Sequence, residues 1–159
     1  MIQCTIYFRY YLNQALKASG LGDQFLDNLQ IWRDQMALGL TTWAEMPEPS
    51  RSDCHAWGAS PNIEFYRILL GIDSDAPGFR KIRIAPSLGK LKEVSGTIPH
   101  PLGSVTAVYK LDERGEGTAR LVLPEGTTGY IYLGWKRNPV ETGRTGYFVI
   151  FASLIYLKS

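Results

Sequence analysis

The spacing of apolar residues changes period at Pro77-Gly78, and this change divides what the chain can fold into. On its N-terminal side the spacing is helical. Thr5 to Ser19 carries Ile6, Tyr10, Leu12 and Leu16, with Tyr7, Phe8, Tyr11 and Ala15 filling much of the remaining circumference. A helix apolar over more than one stripe is expected to be buried on several sides, and no recognisable cap precedes this one. Ser19-Gly20 stops it. Asp23 is expected to cap a second helix in which Phe25, Leu26, Leu29, Trp32 and Met36 fall at helical spacings, and Gly39 ends that helix. A third is predicted from about Ala56 to Leu70, with Trp57, Phe65, Ile68 and Leu69 inward. Pro61 should kink its first turns or mark its true start.

Beyond Pro77 the period falls to two. Short runs rich in β-branched residues occur at Lys81–Ile84, Val94–Ile98, Ser104–Tyr109, Ala119–Leu123 and Tyr130–Leu133, separated by turn-forming clusters such as Asp112–Gly117 and Pro124–Gly129. Strands so punctuated predict an antiparallel β-sandwich. The fold class is therefore α+β, with helices over residues 1–76, the sandwich over 77–148, and a boundary in Asp73–Gly78. Residues 149–159 continue an apolar run, Tyr147 to Leu157, that is shorter than the roughly 20 residues needed to span a bilayer. Two readings of this tail stay open: a buried terminal strand, or a poorly packed segment prone to aggregation.

Composition excludes several function classes. With 159 residues, 45% hydrophobic and 20% charged, the chain is of globular type. Its net charge of +2 comes from scattered Lys and Arg, without the basic stripe that neutralises a nucleic-acid backbone, so no nucleic-acid partner is expected. Cys4 and Cys54 lie in different segments without metal-ligand spacing. No metal and no cofactor are expected, and Cys54 reads as a small packing residue. Met1–Arg9 lacks the pattern of a secretory signal, and no membrane partner is expected.

The chemistry concentrates between Thr41 and Trp57. Within seventeen residues stand Glu45, Glu48, Arg51, Asp53, His55 and the indoles Trp43 and Trp57, with Pro47 and Pro49 marking a loop. Sugars present hydroxyls to charged hydrogen-bonding groups and C–H faces to aromatic rings, so this mixture suits a sugar site. Each residue also has a plainer role open to it. Glu45 could pair with Arg51 or cap the next segment, His55 could be a satisfied buried histidine, and Trp43 and Trp57 could be core. Glu48 is expected to be solvated, and Arg51 and Asp53 to fix the loop.

The order Thr41-Thr42-Trp43-Ala44-Glu45 followed by Pro47-Glu48-Pro49-Ser50-Arg51-Ser52-Asp53-Cys54-His55-Ala56-Trp57 resembles the end of the catalytic barrel of bacterial α-L-rhamnosidases, inverting glycoside hydrolases built on a toroid of paired helices. Upstream, Phe8–Leu12, Gly20–Gly22, Trp32–Asp34 and Gly39-Leu40 look like two preceding barrel helices. Downstream, Ala59–Pro61, Leu70–Ile72, Ala76–Phe79 and Ile82–Pro86 look like the last helix and the entry to a closing β-domain. The likeness runs from about residue 5 to about residue 148.

The resemblance implies that Glu45 is the general base and that His55 hydrogen-bonds the sugar; Trp43 and Trp57 could each offer a ring face to it, with stacking favoured only for Trp43. It also implies that the three helices end an α/α barrel that the chain holds only in part. The family's acidic motif, which carries the general acid, has no match here. Inverting hydrolysis needs two carboxyl groups about 6.5–9.5 Å apart. The chain is thus expected to be a C-terminal fragment, inactive alone, with the upstream part of the same enzyme and a rhamnose-containing glycoside as partners. A non-catalytic carbohydrate-binding or structural module, or part of another inverting glycosidase, remains an alternative.

Overall fold

Thr5 turns out to cap the first helix: its hydroxyl accepts the Phe8 N–H at 3.2 Å, and α1 runs from Ile6 to Ala18 in the computed structural model. The structure describes residues 4–133, 136–141 and 147–150. They fall into two compact units, Met1–Phe65 and Tyr66–Ser159.

In the first unit the second expected helix is broken. Gly22–Gln24 and Asp27–Leu29 are 3-10 turns, and only α2, Gln30–Ala37, is α-helical. The Asn28 amide donates to the Gln24 carbonyl at 3.0 Å, the local side-chain competition that interrupts helices. Asp23 lies inside the first turn, and Leu21 holds the cap position without a side-chain bond. Phe25, Leu29 and Trp32 are buried as expected, but the stripe continues to Gln35 while Met36 is exposed. The third helix is likewise segmented: a 3-10 turn at Ala56–Ala59, then α3 from Pro61 to Glu64, then a π-turn over Phe65–Leu69. Pro61 marks its true start, because a first-turn residue needs no N–H donor. Ile68 and Leu69 face inward, but Trp57 and Phe65 are exposed, since the segmented backbone turns them off the stripe a continuous helix would have made.

Among the described residues the second unit forms two four-stranded sheets. One has the order β1 (Ile72–Ser74), β2 (Lys81–Ile84), β6 (Thr128–Leu133), β7 (Lys136–Glu141). The other has the order β3 (Glu93–His100), β4 (Gly103–Leu111), β5 (Gly117–Val122), β8 (Tyr147–Ile150). Among the described residues the pairings are antiparallel except β2 with β6, which run parallel from Lys81↔Thr128 to Ile84↔Ile131. Ile72, Ile82, Ile84 and Ile131 of one sheet close on Val105, Ala107, Tyr109, Ala119 and Leu121 of the other, with Leu70, Leu88 and Leu123, in one buried cluster. The alternation that makes this possible is plain in β2, exposed-buried-exposed-buried. Two strands went unanticipated in sequence. β1 is three residues long inside the acidic boundary segment, and β7 is a charged strand bearing Pro139, tolerated because β7 ends its sheet. Of the apolar tail, Val149 and Ile150 belong to β8, and residues 151–159 lie outside the described residues.

At the turn into β2, Phe79 adopts φ +60, uncommon for a residue with a side chain. His100 holds it there: its Nε2–H donates to the Phe79 carbonyl at 2.9 Å, while its Nδ1 accepts the Leu102 N–H at 3.1 Å. Tyr109 donates its buried hydroxyl to the Leu70 carbonyl at 2.8 Å, and burial pushes its phenol well above the usual tyrosine range.

Candidate functional site

The loop that carries the candidate residues begins where α2 stops. Gly39, at φ +80, lets the chain leave the helix: its N–H donates to the Met36 carbonyl at 3.0 Å and the Leu40 N–H reaches back to the Gln35 carbonyl at 3.2 Å. The loop then folds on itself. The His55 N–H donates to the Trp43 carbonyl at 2.8 Å, the Glu45 N–H to the Ser52 carbonyl at 2.9 Å, and the Thr42 hydroxyl to the Asp53 carbonyl. Residues 42–45 and 52–55 therefore run antiparallel, side by side. At the tip, Ser50 donates its N–H to the Glu48 carboxylate at 3.2 Å and its hydroxyl to the Ser52 carbonyl at 2.8 Å.

Below the loop lies Gln35, only 3% exposed, whose Oε1 accepts the N–H of buried Ala44 at 2.9 Å. Ala44 stands between Trp43 and Glu45, so this amide anchors the segment from which both side chains project. Its Nε2 is buried and has no hydrogen-bond partner among the described residues. Apolar spacing alone points to Met36 and not to Gln35. The signal was present: Gln35 continues the spacing of Leu29 and Trp32 along one helix face, and a polar residue on a buried stripe calls for a backbone partner.

Glu45 is held by Arg51 across the loop. The guanidinium donates Nε–H to Oε2 at 2.9 Å and Nη2–H to Oε1, a two-pronged pair in which the Glu45 side chain is 16% exposed and that of Arg51 73%. Arg51 thus fixes the loop by pairing, as its position suggested. His55 lies against Trp57 with ring centroids 4.4 Å apart at 56°, and its Nδ1 is buried without a hydrogen-bond partner among the described residues. Trp43 packs on Gly58, where any Cβ would fall 2.3 Å from the Trp43 Cβ, so only glycine fits beneath the indole. Trp32 donates its indole N–H to the Gly58 carbonyl at 2.7 Å and sets that turn from the other side.

Trp57 is 41% exposed and lines a cleft of about 260 Å³ with Tyr7, Tyr10, Tyr11, Ala56, Ala59 and Ser60. Neither Glu45, His55 nor Trp43 lines that cleft. Tyr11's phenol is raised above its usual range, first by the hydrogen bond it shares with Tyr7. Cys54, expected to be a packing residue, is exposed on the loop. Among the described residues no group of three or more His, Cys, Asp or Glu side chains is placed to hold a metal, and no helix is long and apolar enough to cross a membrane.

Comparison with known proteins gives this geometry a setting. Residues 71–148 match the family model of the bacterial alpha-L-rhamnosidase C-terminal domain. Among solved structures, the α-L-rhamnosidase of Aspergillus terreus superposes with a TM-score of 0.74 at 22% identity, covering 89% of this chain and 18% of that one. The GH78 family rhamnosidase of Bacillus sp. GL1 gives 0.66 at 26% identity, covering 80% and 16%. The α-L-rhamnosidase of Dictyoglumus thermophilum gives 0.55 at 22% identity, covering 73% and 15%. The chain spans less than a fifth of each of these. No curated protein matches it.

Proposed function

Because this chain is similar to the C-terminal part of bacterial α-L-rhamnosidases, with their C-terminal domain over residues 71–148, we propose that it serves such an enzyme by supplying the general base and sugar contacts for inverting hydrolysis of terminal α-L-rhamnosides. The observation that carries this reading is the antiparallel loop in which Glu45 and His55 stand on facing strands, bound through Glu45–Ser52 and Trp43–His55 backbone bonds. Glu45 takes a proton from water as that water attacks the anomeric carbon. A carboxyl group in the upstream part of the enzyme gives a proton to the departing oxygen. Arg51 orients the Glu45 carboxylate through two hydrogen bonds and must yield one oxygen lone pair to the water. The guanidinium's exposure leaves it free to do so. His55 and Trp57 meet the sugar by hydrogen bond and by ring face, and Trp43 frames the loop beside them. The helices of the first unit close an α/α barrel whose other helices the upstream part contributes, and the sandwich follows them.

Purified alone, the chain is expected to release no alcohol from an aryl α-L-rhamnoside, and joining it to an upstream rhamnosidase region is expected to produce turnover. In that enzyme Glu45→Gln should lower kcat by about 10²–10⁴-fold with little change in KM, as for a general base. His55→Ala should raise KM. Undiminished kcat in Glu45→Gln would dismiss the base, and hydrolysis by the chain alone would dismiss the need for an upstream acid. The two-pronged Arg51 clamp favours a second reading, a non-catalytic sugar-binding module, which undiminished kcat together with a raised KM in His55→Ala would support.

A further inference from the structure

Two side chains of α2 reach the loop by separate routes. Trp32 and Gln35 lie three residues apart, so they share one helix face, about 4.5 Å apart along its axis. The Gln35 route ends beside Glu45. Its main-chain carbonyl accepts the Leu40 N–H at 3.2 Å and its side-chain carbonyl accepts the Ala44 N–H at 2.9 Å, so one residue ties both ends of the stretch that leads from the helix to the carboxylate. Ala44 is 1% exposed, and its peptide has no water to turn to instead. The Trp32 route ends at His55. Its indole N–H holds the Gly58 carbonyl at 2.7 Å, the Gly58 N–H donates to the His55 carbonyl at 3.0 Å, and the His55 N–H donates to the Trp43 carbonyl at 2.8 Å. His55 is thereby held on both sides of its Cα, and Gly58 is packed closely beneath Trp43.

We infer that Trp32 and Gln35 are positioning residues for the reaction, one face of α2 setting where Glu45 stands relative to His55, Gln35 through Ala44 and Trp32 through Gly58. This rests on reading Glu45 as the base and His55 as a sugar contact, and it adds two residues that touch no substrate. A base must be placed closely, since a misplacement of about 1 Å can cost about 10²-fold in rate. Arg51 cannot supply that placement, because its own side chain is 73% exposed and moves with solvent. The buried bond from Gln35 gives the segment a fixed origin. Only the oxygen of the Gln35 amide is used, for its Nε2 has no hydrogen-bond partner among the described residues. The position therefore requires an acceptor, which glutamate retains and methionine, of similar length, offers only weakly.

Hydrogen exchange in the full chain tests the two routes without catalysis. Gln35→Met should speed exchange of the Ala44 N–H about tenfold and leave the His55 and Gly58 N–H protected, and Trp32→Phe should do the reverse. Equal acceleration on both routes in either variant, or none, overturns the inference. In the enzyme joined to an upstream rhamnosidase region, Gln35→Met should lower kcat about 10- to 100-fold per folded molecule with KM unchanged, and Gln35→Glu should recover most of that loss. Trp32→Phe should instead raise KM about two- to tenfold. Leu16→Ala, a cavity on α1 in the same unit, should leave both constants per folded molecule as they are. A loss shared alike by Gln35→Met, Trp32→Phe and Leu16→Ala would reduce Trp32 and Gln35 to packing. Wild-type kcat in Gln35→Met beside a damaged Glu45→Gln overturns the positioning role and leaves the base standing. Undiminished kcat in Glu45→Gln removes the base, and the role of Gln35 falls with it.

Discussion

The two units differ in how many polar groups they bury beside their apolar residues. Between Met1 and Phe65, the buried set includes Arg9, Asn13, Gln35 and Glu64, while Tyr7, Phe8, Tyr11, Met36, Leu38 and Trp57 are exposed. Glu64 is wholly buried and takes a hydrogen bond from the Gln14 amide, and Arg9 donates to the Asn28 carbonyl at 3.2 Å with its guanidinium 6.0 Å from the Trp32 ring. From Tyr66 onward, among the described residues, the core cluster is Ile, Leu, Val, Ala and one tyrosine whose hydroxyl is bonded, with only His100 and Thr127 as buried polar residues. The sandwich therefore draws its stability from apolar burial, roughly 25 cal/mol per Å² removed from water. The helical unit adds position-fixing polar groups to an apolar interior of Ile6, Leu16, Phe25, Leu29 and Trp32, and shows several other rings outward. A unit organised this way is suited to presenting surfaces, and one like the sandwich to holding shape.

Substitution can break this contrast. Ile84→Ala, in the closed core, should cost about 2–5 kcal/mol in urea unfolding, whereas Met36→Ala, an equally large deletion on the helical unit's surface, should stay within about 0.5 kcal/mol. Equal costs would erase the distinction. Gln35→Ala should cost about 1–3 kcal/mol by leaving the buried Ala44 N–H unpaired, and amide exchange at Ala44 should accelerate with it. Unchanged exchange would mean that the loop holds itself without α2.

Tyr109→Phe should cost about 0.5–1.5 kcal/mol for the bond to Leu70. It should also change the alkaline limb of stability. The folded phenol is raised above the ordinary tyrosine pKa by burial. Below that pH both states keep the proton and stability is level. Above it the unfolded state loses the proton first and stability falls. Tyr109→Phe should flatten that fall, and an unchanged slope would show that another group causes it. The smallest effect is expected from Arg51→Ala, about 0–1 kcal/mol, because its partner is reached from an exposed position.

The sandwich was the more legible unit, for a physical reason. A period of two reports a buried face directly, and the runs at 81–84, 104–109 and 130–133 each lie inside an observed strand. β1 and β7 escaped notice because short or charged edge strands owe their place to a neighbour's hydrogen bonds more than to their own apolar residues. In the helical unit, periodicity misassigned Met36, Trp57 and Phe65, because 3-10 and π-turns shift which residues face inward. The loop was legible as chemistry, since Glu45, Arg51 and His55 stand close in sequence. Gln35, Tyr7 and Ser60 were not, since only the fold brings distant residues to that loop or its neighbouring cleft.

The parallel match of β2 to β6 bears on the order in which the chain can acquire its shape. β3, β4 and β5 are neighbours in sequence and pair as a meander, so they can nucleate early at low entropic cost. β2 must wait for Thr128 and beyond, after the meander has been made. During that interval Ile82 and Ile84 lack their flanking strand, and β2 presents an unpaired edge. Until residues 128–131 are available, β2 keeps that edge open to pairing with another chain.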